Sequence, residues 1–244
     1  MTSRHIVISE DGSPTIWSDD FGQCNHSTAG AVMESEYLFI DSGLKTMVSK
    51  RAGNISILEY GFGTGLNALL TALATCKEPW MEEREIRYTT LELYPLTPEE
   101  YKAIDYSKGD PLAASLYDKI HTSKWSTVCK REFTEITPNF SICKIKCDFG
   151  EYIPEQEYFD LVYFDAFSPE SQPQSWSEKI FRTLYSGMKE YGMIITYSSK
   201  GSVKQAMRSA GFLVKRIPGA GKKRHSLTAV KIPEDRTEIL PQGQ

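Results

Sequence analysis

The chain has 244 residues, a net charge of −4 and a composition that is 40% hydrophobic and 25% charged. That balance is typical of a globular protein with a substantial core, and it excludes a collagen-like or low-complexity chain. No apolar run approaches the length of a membrane span, and the first ten residues lack the core of a signal peptide. We therefore expect a cytoplasmic protein without a membrane association.

The first 50 residues form an N-terminal extension in the predicted organisation. Strands at 5–8 and 15–17 flank the turn signal Asp11-Gly-Ser-Pro, so this segment predicts a β-hairpin. A helix is predicted over 31–39. We expect the extension to pack on the core of the main domain.

Residues 51–233 alternate strands with helices, which predicts a mostly parallel sheet covered by helices on both faces. The predicted strands are 55–60, 86–93, 141–146, 159–164, 193–197, 212–217 and 227–232. The predicted helices are 66–76, 177–189 and 203–209, together with a polar helical insertion over 95–140 and a C-terminal tail, 234–244. The last two strands are too close in sequence for a parallel crossover, so they predict an antiparallel hairpin. A seven-stranded sheet with this ending is the Rossmann-like fold of class I methyltransferases.

Five cysteines and four histidines are scattered along the chain without the spacing of a zinc site or of a redox motif. Cys143 and Cys147 fall on one face of a predicted strand, which indicates thiols of the core. We therefore expect no bound metal ion.

The strongest motif lies between the first parallel strand and the first helix of the main domain. Glycines there let the backbone turn sharply and approach a ligand, and ligands of open parallel sheets bind at the carboxyl ends of the strands. The third glycine comes one residue too early for the dinucleotide pattern, and no phosphate-binding loop follows a strand. The motif therefore favours S-adenosylmethionine, whose positive sulfonium and amino groups attract a nearby carboxylate. The predicted cofactor-binding residues of this loop are Glu59, Gly61, Gly63, Thr64, Gly65 and Asn67.

Three further acids end parallel strands at the same edge of the sheet. Glu92 can accept both ribose hydroxyls, and Asp148 can bond the adenine amino group; the alternatives are a surface acid and a turn residue. Asp165 ends a buried apolar strand, where a carboxylate is costly unless it is paired or functional. We predict that Asp165 also contacts the cofactor, and that Phe167 and Pro169 form a lip on which a base stacks, unless these two only pack in the core.

The segment 191–232 contains nine basic residues and no Asp or Glu, although the whole chain is acidic. Cations clustered in this way add affinity for phosphates without reading a base sequence. We predict that a nucleic acid docks on Lys222, Lys223 and Arg224, with Lys200 at the same end of the sheet. The alternative is a solvated turn that only aids solubility.

Four segments carry a resemblance to one family, and they span nearly the whole chain. They are 26–35 with 38–40; 59–67; 165–169 with Pro173 and Trp176; and 196–198 running through 210–212 to 218–224. In these segments the chain resembles the methyltransferase domain of the MnmC-type tRNA 5-methylaminomethyl-2-thiouridine enzymes, especially the free-standing, MnmD-like forms. The resemblance departs at His225, where the family usually has a glutamate after its Lys-Arg.

The resemblance implies methylation of the aminomethyl nitrogen of 5-aminomethyl-(2-thio)uridine at the tRNA wobble position, with Asp165 as the catalytic residue facing that amine. It adds His26, Glu34 and Tyr197 to the expected substrate-binding residues. No FAD-dependent domain accompanies the sequence, so we expect a separate enzyme to supply the aminomethyl precursor. Three other functions stay open: a methyltransferase of small molecules or proteins, a non-catalytic cofactor-binding regulator, and an NAD-dependent oxidoreductase.

Overall fold

The structure is a computed structural model, and it describes residues 4–81, 84–221 and 223–233. A small antiparallel sheet near the N-terminus consists of β1 (Arg4–Ile8), β2 (Pro14–Ser18) and β3 (Gln23–Cys24). β1 and β2 form the predicted hairpin, with Ile6 opposite Ile16.

The central sheet holds nine of the described strands, rather than the seven expected. They are β4 (Ile55–Tyr60), β5 (Ile86–Glu92), β6 (Trp125–Ser126), β7 (Thr134–Thr137), β8 (Phe140–Lys146), β9 (Phe159–Phe164), β10 (Met188–Thr196), β11 (Leu213–Pro218) and β12 (His225–Val230). Their order is β11-β12-β10-β9-β4-β5-β8-β6, and β7 pairs with the free side of β8.

Parallel pairing joins β10, β9, β4, β5 and β8, as the alternation of strands and helices predicts. Every residue of β4 and β9 is buried, because both faces of these central strands are covered. The predicted antiparallel hairpin is confirmed, since β12 lies antiparallel to both β11 and β10. Cys143 and Cys147 are buried thiols, as expected.

Helices cover both faces of the central sheet and form two apolar clusters with it. One face carries α1 (Ala31–Ser35), α2 (Thr46–Lys50), α3 (Leu66–Lys77), α4 (Pro98–Lys102) and α5 (Pro111–Thr122); the other carries α6 (Glu178–Gly187) and α7 (Gly201–Ser209). None of the described helices is long and apolar enough to cross a membrane.

The first helix continues well beyond residue 39, where we predicted its end. A π-helical segment, Glu36–Lys45, joins α1 to α2 without a break in helical backbone angles. This segment passes close to the sheet at Gly43, where an added Cβ would lie 3.3 Å from Ile195 and 3.4 Å from Tyr163. The absent side chain therefore allows the helix to approach the sheet.

The insertion 95–140 is helical only in its first part. α4 begins with a capping box of Thr97 and Glu100, and α5 begins at Pro111 behind the cap Asp110. After Thr122 the chain instead forms β6 and β7, both of which pair with β8. These two short strands also account for the two extra strands of the sheet.

The boundary between α6 and β10 also differs from the prediction. The helix was expected to reach residue 189, but it ends at Gly187, and the strand already begins at Met188. A Cβ on Gly187 would lie 2.4 Å from Pro154, so glycine is needed where the helix meets this loop. The strand register then shifts between Met188 and Met193.

Candidate functional site

A glycine loop follows β4 at the carboxyl edge of the sheet. Gly61 has φ +95°, and a Cβ there would lie 2.6 Å from the backbone oxygen of Asp165. Gly65, with φ +76°, precedes α3 in the left-handed conformation. Only glycine adopts such angles at little cost, so both residues are needed to bring the loop against the end of β9.

Thr64 anchors the loop from behind through four contacts. Its carbonyl oxygen lies 3.0 Å from both the hydroxyl of Tyr117 and Nε2 of His121 on α5. Its hydroxyl lies 2.8 Å from the hydroxyl of Tyr106 and 2.7 Å from Nε2 of His26. Burial and the charge of Lys223 lower the pKa of His26 to about 4, so its ring is neutral at pH 7. The insertion therefore supports the glycine loop.

Two carboxylates share one amide in front of the loop. Nδ2 of Asn67 donates to Oε1 of Glu59 at 3.1 Å and to Oδ2 of Asp165 at 2.9 Å. The hydroxyl of Thr90 donates to the other oxygen of Glu59 at 2.6 Å. Because both acceptors are carboxylates, the amide nitrogen must face them, which leaves the buried Oδ1 of Asn67 without a partner among the described residues.

Burial dominates the electrostatics of this pair. Desolvation raises the pKa of Glu59 to about 8, against the opposing hydrogen bond from Thr90. Desolvation likewise raises the pKa of Asp165 to about 7, although the bond from Asn67 and the charge of Lys223 act in the opposite direction. Two adjacent carboxylates in such a site favour a positively charged ligand, which would return both pKa values toward the ionised form.

A cleft, called here the glycine-loop cleft, opens between the loop and the ends of β5, β8 and β9. Glu92 accepts hydrogen bonds from the backbone N–H groups of Gly63 (3.0 Å) and Tyr94 (2.8 Å). Asp148 caps the turn after β8 by accepting from Gly150. The residues that line the cleft include Phe21, Asn25, His26, Gly61, Gly63, Glu92, Asp148, Asp165, Ala166 and Phe167.

A cavity of about 350 Å³, called here the α1 cavity, lies on the other side of Asp165. Glu34 of α1 forms an ion pair in it with Lys223, whose Nζ lies 4.6 Å from the ring centre of Tyr197. Four aromatic rings and several polar groups surround the space. The lining residues include Trp17, Gln23, Asn25, His26, Glu34, Phe39, Asp165, Phe167, Tyr197 and Lys223.

Asp165 stands where the two spaces meet. The cleft and the cavity share its side chain together with Asn25, His26, Ala166 and Phe167. A group held in the α1 cavity and one held in the cleft can therefore both reach the same carboxylate. This arrangement suits a transfer between two ligands, with Asp165 as the proton acceptor at the junction.

Many of the predicted site residues line these two spaces. Four of the predicted cofactor residues are buried and line neither space: Glu59, Thr64, Gly65 and Asn67. Several other predicted residues lie elsewhere. Pro169 lines neither space, and Phe167 stacks on Phe21 at 4.1 Å between ring centres. Lys200 is exposed and pairs with Glu170. The predicted centre of the basic surface is divided: Lys223 turns into the α1 cavity, Arg224 is exposed outside both spaces, and Lys222 lies outside the described residues.

Sequence reasoning missed the part of the site that comes from the N-terminal extension. Phe21 and Asn25 cover the glycine-loop cleft, and Trp17 and Gln23 line the α1 cavity. Trp17 lies in a predicted strand and the other three lie in a polar, turn-rich stretch, and no local pattern indicates that this segment returns to the sheet edge. Thr90 was also missed, because a threonine inside a strand is ordinary by itself.

No group of three or more described His, Cys, Asp and Glu side chains could hold a metal ion.

Comparisons with known proteins agree with this geometry. A family model described as S-adenosyl-L-methionine-dependent methyltransferase matches residues 113–232. The bifunctional protein MnmC of tRNA 5-methylaminomethyl-2-thiouridine biosynthesis from Burkholderia thailandensis is 28% identical over 95% of this chain and 35% of its own length. MnmC from Actinobacillus pleuropneumoniae is 28% identical over 97% of this chain and 36% of its own length. The chain thus spans about a third of these relatives.

Solved structures show the same fold. The crystal structure of MnmC2 from Aquifex aeolicus superposes with a TM-score of 0.74 at 24% identity, over 98% of this chain and 77% of that one. A spermidine synthase in complex with a transition-state analogue gives a TM-score of 0.60 at 16% identity, over 100% and 77%. The predicted resemblance is confirmed as a similarity: most of this chain is similar to about a third of the MnmC proteins, and residues 113–232 match the S-adenosyl-L-methionine-dependent methyltransferase model. Its fold is that of the solved MnmC2 structure.

Proposed function

We propose that the protein transfers the methyl group of S-adenosylmethionine to the aminomethyl nitrogen of 5-aminomethyl-(2-thio)uridine at the wobble position of tRNA. The observation that carries the proposal is the position of Asp165 at the junction of the glycine-loop cleft and the α1 cavity. The similarity to MnmC supports tRNA as the substrate class.

The cleft, together with the buried Glu59 and Asn67 that adjoin its residue Asp165, fits S-adenosylmethionine in three respects. The unpartnered Oδ1 of Asn67 is a buried acceptor that suits a positively charged amino group. The raised pKa of Glu59 indicates a carboxylate that a cationic ligand would stabilise. The space beside Gly63 would be narrowed by any side chain, since a Cβ there would lie 2.8 Å from Nδ2 of Asn25. When bound, the cofactor supplies an electrophilic methyl group.

Residues of the cleft and the buried Glu59 and Asn67 would each bind a different part of that molecule. Glu59 and Asn67 would hold the positive end, because they are the buried polar groups beside the loop. Glu92 would accept hydrogen bonds from the ribose hydroxyls, and its carboxylate also accepts one from the backbone N–H of Gly63. Asp148, after the end of β8, lines the cleft and would bond the adenine amino group.

The acceptor must become neutral to attack. An alkyl ammonium with a pKa near ~10 is about one part in a thousand neutral at pH 7, which costs roughly 4 kcal/mol. Asp165 reduces that cost by orienting the ammonium group and accepting its proton before the attack, which frees the nitrogen lone pair. Water exclusion favours this step, because the carboxylate is already held in a desolvated position.

The pH dependence follows from the raised pKa of Asp165. Below about pH 7 the carboxyl group is protonated in the free protein and cannot accept the proton of the amine. We expect kcat/KM for tRNA, measured at saturating S-adenosylmethionine so that the titration of Glu59 does not contribute, to rise with pH and to level off by about 7. The kcat/KM of Asp165→Asn should instead keep rising with pH toward the pKa of the amine, ~10. A wild-type profile that still rises between pH 8 and 9 would contradict this role.

We propose that tRNA also docks on a basic surface formed by Lys204, Arg208 and Arg216. The first two lie on α7 and the third on β11, and Arg208 and then Arg216 lower the pKa of Lys204. None of the described carboxylates forms an ion pair with these three cations, whereas Lys200 and Lys223 are already paired. Unopposed cations of this kind suit the phosphates of a nucleic acid.

Replacing Lys204, Arg208 and Arg216 together with Ala should weaken tRNA binding and reduce its salt dependence by up to about three phosphate equivalents. The affinity for S-adenosylhomocysteine should not change, because these residues line neither space. Filter binding at several salt concentrations measures the tRNA affinity and its salt dependence. The matched control replaces three exposed lysines of the insertion region: Lys102, Lys119 and Lys124. If only the control triple weakens binding, tRNA docks on the insertion instead.

The proposed function is tested by incubating the protein and S-adenosylmethionine with tRNA that carries 5-aminomethyl-2-thiouridine. We expect nucleoside analysis to show 5-methylaminomethyl-2-thiouridine, and to show none with unmodified tRNA. Bound cofactor together with methylation of a free small amine, but never of tRNA, would assign the protein to the small-molecule methyltransferases.

A further inference from the structure

The ammonium group of Lys223 occupies a defined place in the α1 cavity. It pairs with the carboxylate of Glu34 and lies over the face of Tyr197, 4.6 Å from the ring centre. Both contacts are typical of the recognition of a cation. The group is a primary alkyl ammonium, as is the protonated aminomethyl group of the proposed acceptor.

The carboxylate and the ring belong to well-supported elements, whereas the lysine comes from a turn. Glu34 is 8% exposed and lies on α1. The hydroxyl of Tyr197 donates to the carbonyl of Ala166 at 2.9 Å, which fixes the ring beside β9. Lys223 lies between β11 and β12, and its side chain is 38% exposed. The cation is therefore the exchangeable member of the three.

We propose that Glu34 and Tyr197 form a subsite for a primary alkyl ammonium, and that the lysine side chain fills it until an acceptor displaces it. The subsite deepens the proposed function, on which it rests for the identity of the acceptor. It lies in the same cavity as Asp165, whose pKa responds to the charges of both Glu34 and Lys223. A bound ammonium is thereby held next to the group that takes its proton.

This arrangement explains how the cavity selects a charged acceptor. A neutral 5-substituent cannot replace Lys223 at the buried carboxylate without leaving Glu34 unpaired, which is unfavourable. An ammonium exchanges one ion pair for another. Selection therefore occurs when the acceptor binds, before any methyl transfer.

Methylammonium chloride is the direct probe, with sodium chloride at equal ionic strength as the reference. We expect Lys223→Met to show a saturable rise in melting temperature with methylammonium, with an apparent affinity at least tenfold tighter than that of the wild type. Lys215→Met is the matched control, because Lys215 is exposed on β11 and lines neither the cleft nor the α1 cavity. It should behave as the wild type does.

Two further variants in the Lys223→Met background separate the carboxylate from the ring. Adding Glu34→Gln should remove the effect of methylammonium. Adding Tyr197→Leu should weaken it, whereas adding Tyr197→Phe should preserve it because the aromatic face remains. Glu34→Gln and Tyr197→Leu act on different elements, so a folding defect in one leaves the other as a test.

The proposal is overturned if Lys223→Met binds methylammonium no more tightly than the wild type does, or if both the Glu34→Gln and the Tyr197→Leu additions leave the binding unchanged. Neither outcome depends on cofactor or tRNA. Failure of the proposed function would appear separately, as absent methylation of the modified tRNA by a protein that still shows the ammonium effects.

Discussion

Asp165→Asn should bind S-adenosylhomocysteine within about threefold of the wild type and lose roughly a hundredfold or more of its methyl-transfer rate. The amide keeps the shape of the carboxyl group, and its oxygen can still accept the hydrogen bond from Asn67. It cannot accept a proton from the amine. Single-turnover transfer to tRNA under saturating cofactor measures the chemical step, and calorimetry measures cofactor binding.

Thr90→Val provides a matched comparison within the same hydrogen-bonded group. It removes the donor to Glu59 and leaves Asp165 untouched, so it should weaken cofactor binding more than it slows transfer. If Asp165→Asn transferred methyl groups at the wild-type single-turnover rate, Asp165 would only position its neighbours. A general-base role would then have to be abandoned.

Gly63→Arg should abolish the binding of S-adenosylhomocysteine, with a loss of affinity of about a hundredfold or more. The first side-chain carbon would already lie 2.8 Å from Nδ2 of Asn25, so the guanidinium group has to enter the glycine-loop cleft. A positive charge there also opposes a cationic ligand. Calorimetry with S-adenosylmethionine, S-adenosylhomocysteine and NAD measures the loss and the selectivity, and we expect NAD not to bind to either protein.

Gly109→Arg is the control for the cost of the substitution itself. Gly109 also has a positive φ, +85°, but an added Cβ meets nothing within 4 Å. Both variants bear the strain of a left-handed non-glycine residue, of about 1 kcal/mol, and only Gly63→Arg obstructs the cleft. Wild-type affinity in Gly63→Arg would remove the loop from the cofactor site.

The sheet and its carboxyl edge could be predicted because their signals are local. An apolar run such as 159–164 indicates a strand buried on both faces, and the structure places β9 there in the middle of the sheet. Glu59 lies near the end of one predicted strand and Asp165 directly follows another, so the rule that ligands bind at strand ends predicts that both lie at the same edge of the sheet. Their shared contact with Asn67 agrees with that expectation.

The prediction failed where neighbours in space override local preference. Residues 125–126 and 134–137 form strands because they pair with the free edge of β8, and no pattern within these residues indicates that partner. The helix after residue 39 continues because Leu38, Phe39 and Leu44 are buried against the sheet, which local periodicity did not reveal. Where the local pattern is weak, tertiary contacts of this kind determine the secondary structure.

The basic cluster shows the same limit within the site. Sequence alone gives Lys222, Lys223 and Arg224 equal standing as neighbours in a turn. The structure turns Lys223 toward Glu34, a residue that lies 189 positions earlier, and leaves Arg224 exposed. A charge can be recognised from its residue type, but its partner depends on the fold.

That long separation has a consequence for how the protein is made and how it comes apart. Lys223 reaches Glu34 in the α1 cavity only after β12 has inserted between β10 and β11, whereas Glu59, Asn67 and Asp165 come together earlier along the chain. Contacts between distant residues carry the larger entropic cost and form late. During synthesis the cofactor side should therefore be complete first. Under mild denaturant, opening of the β11–β12 hairpin should withdraw Lys223 from Glu34 while cofactor binding persists.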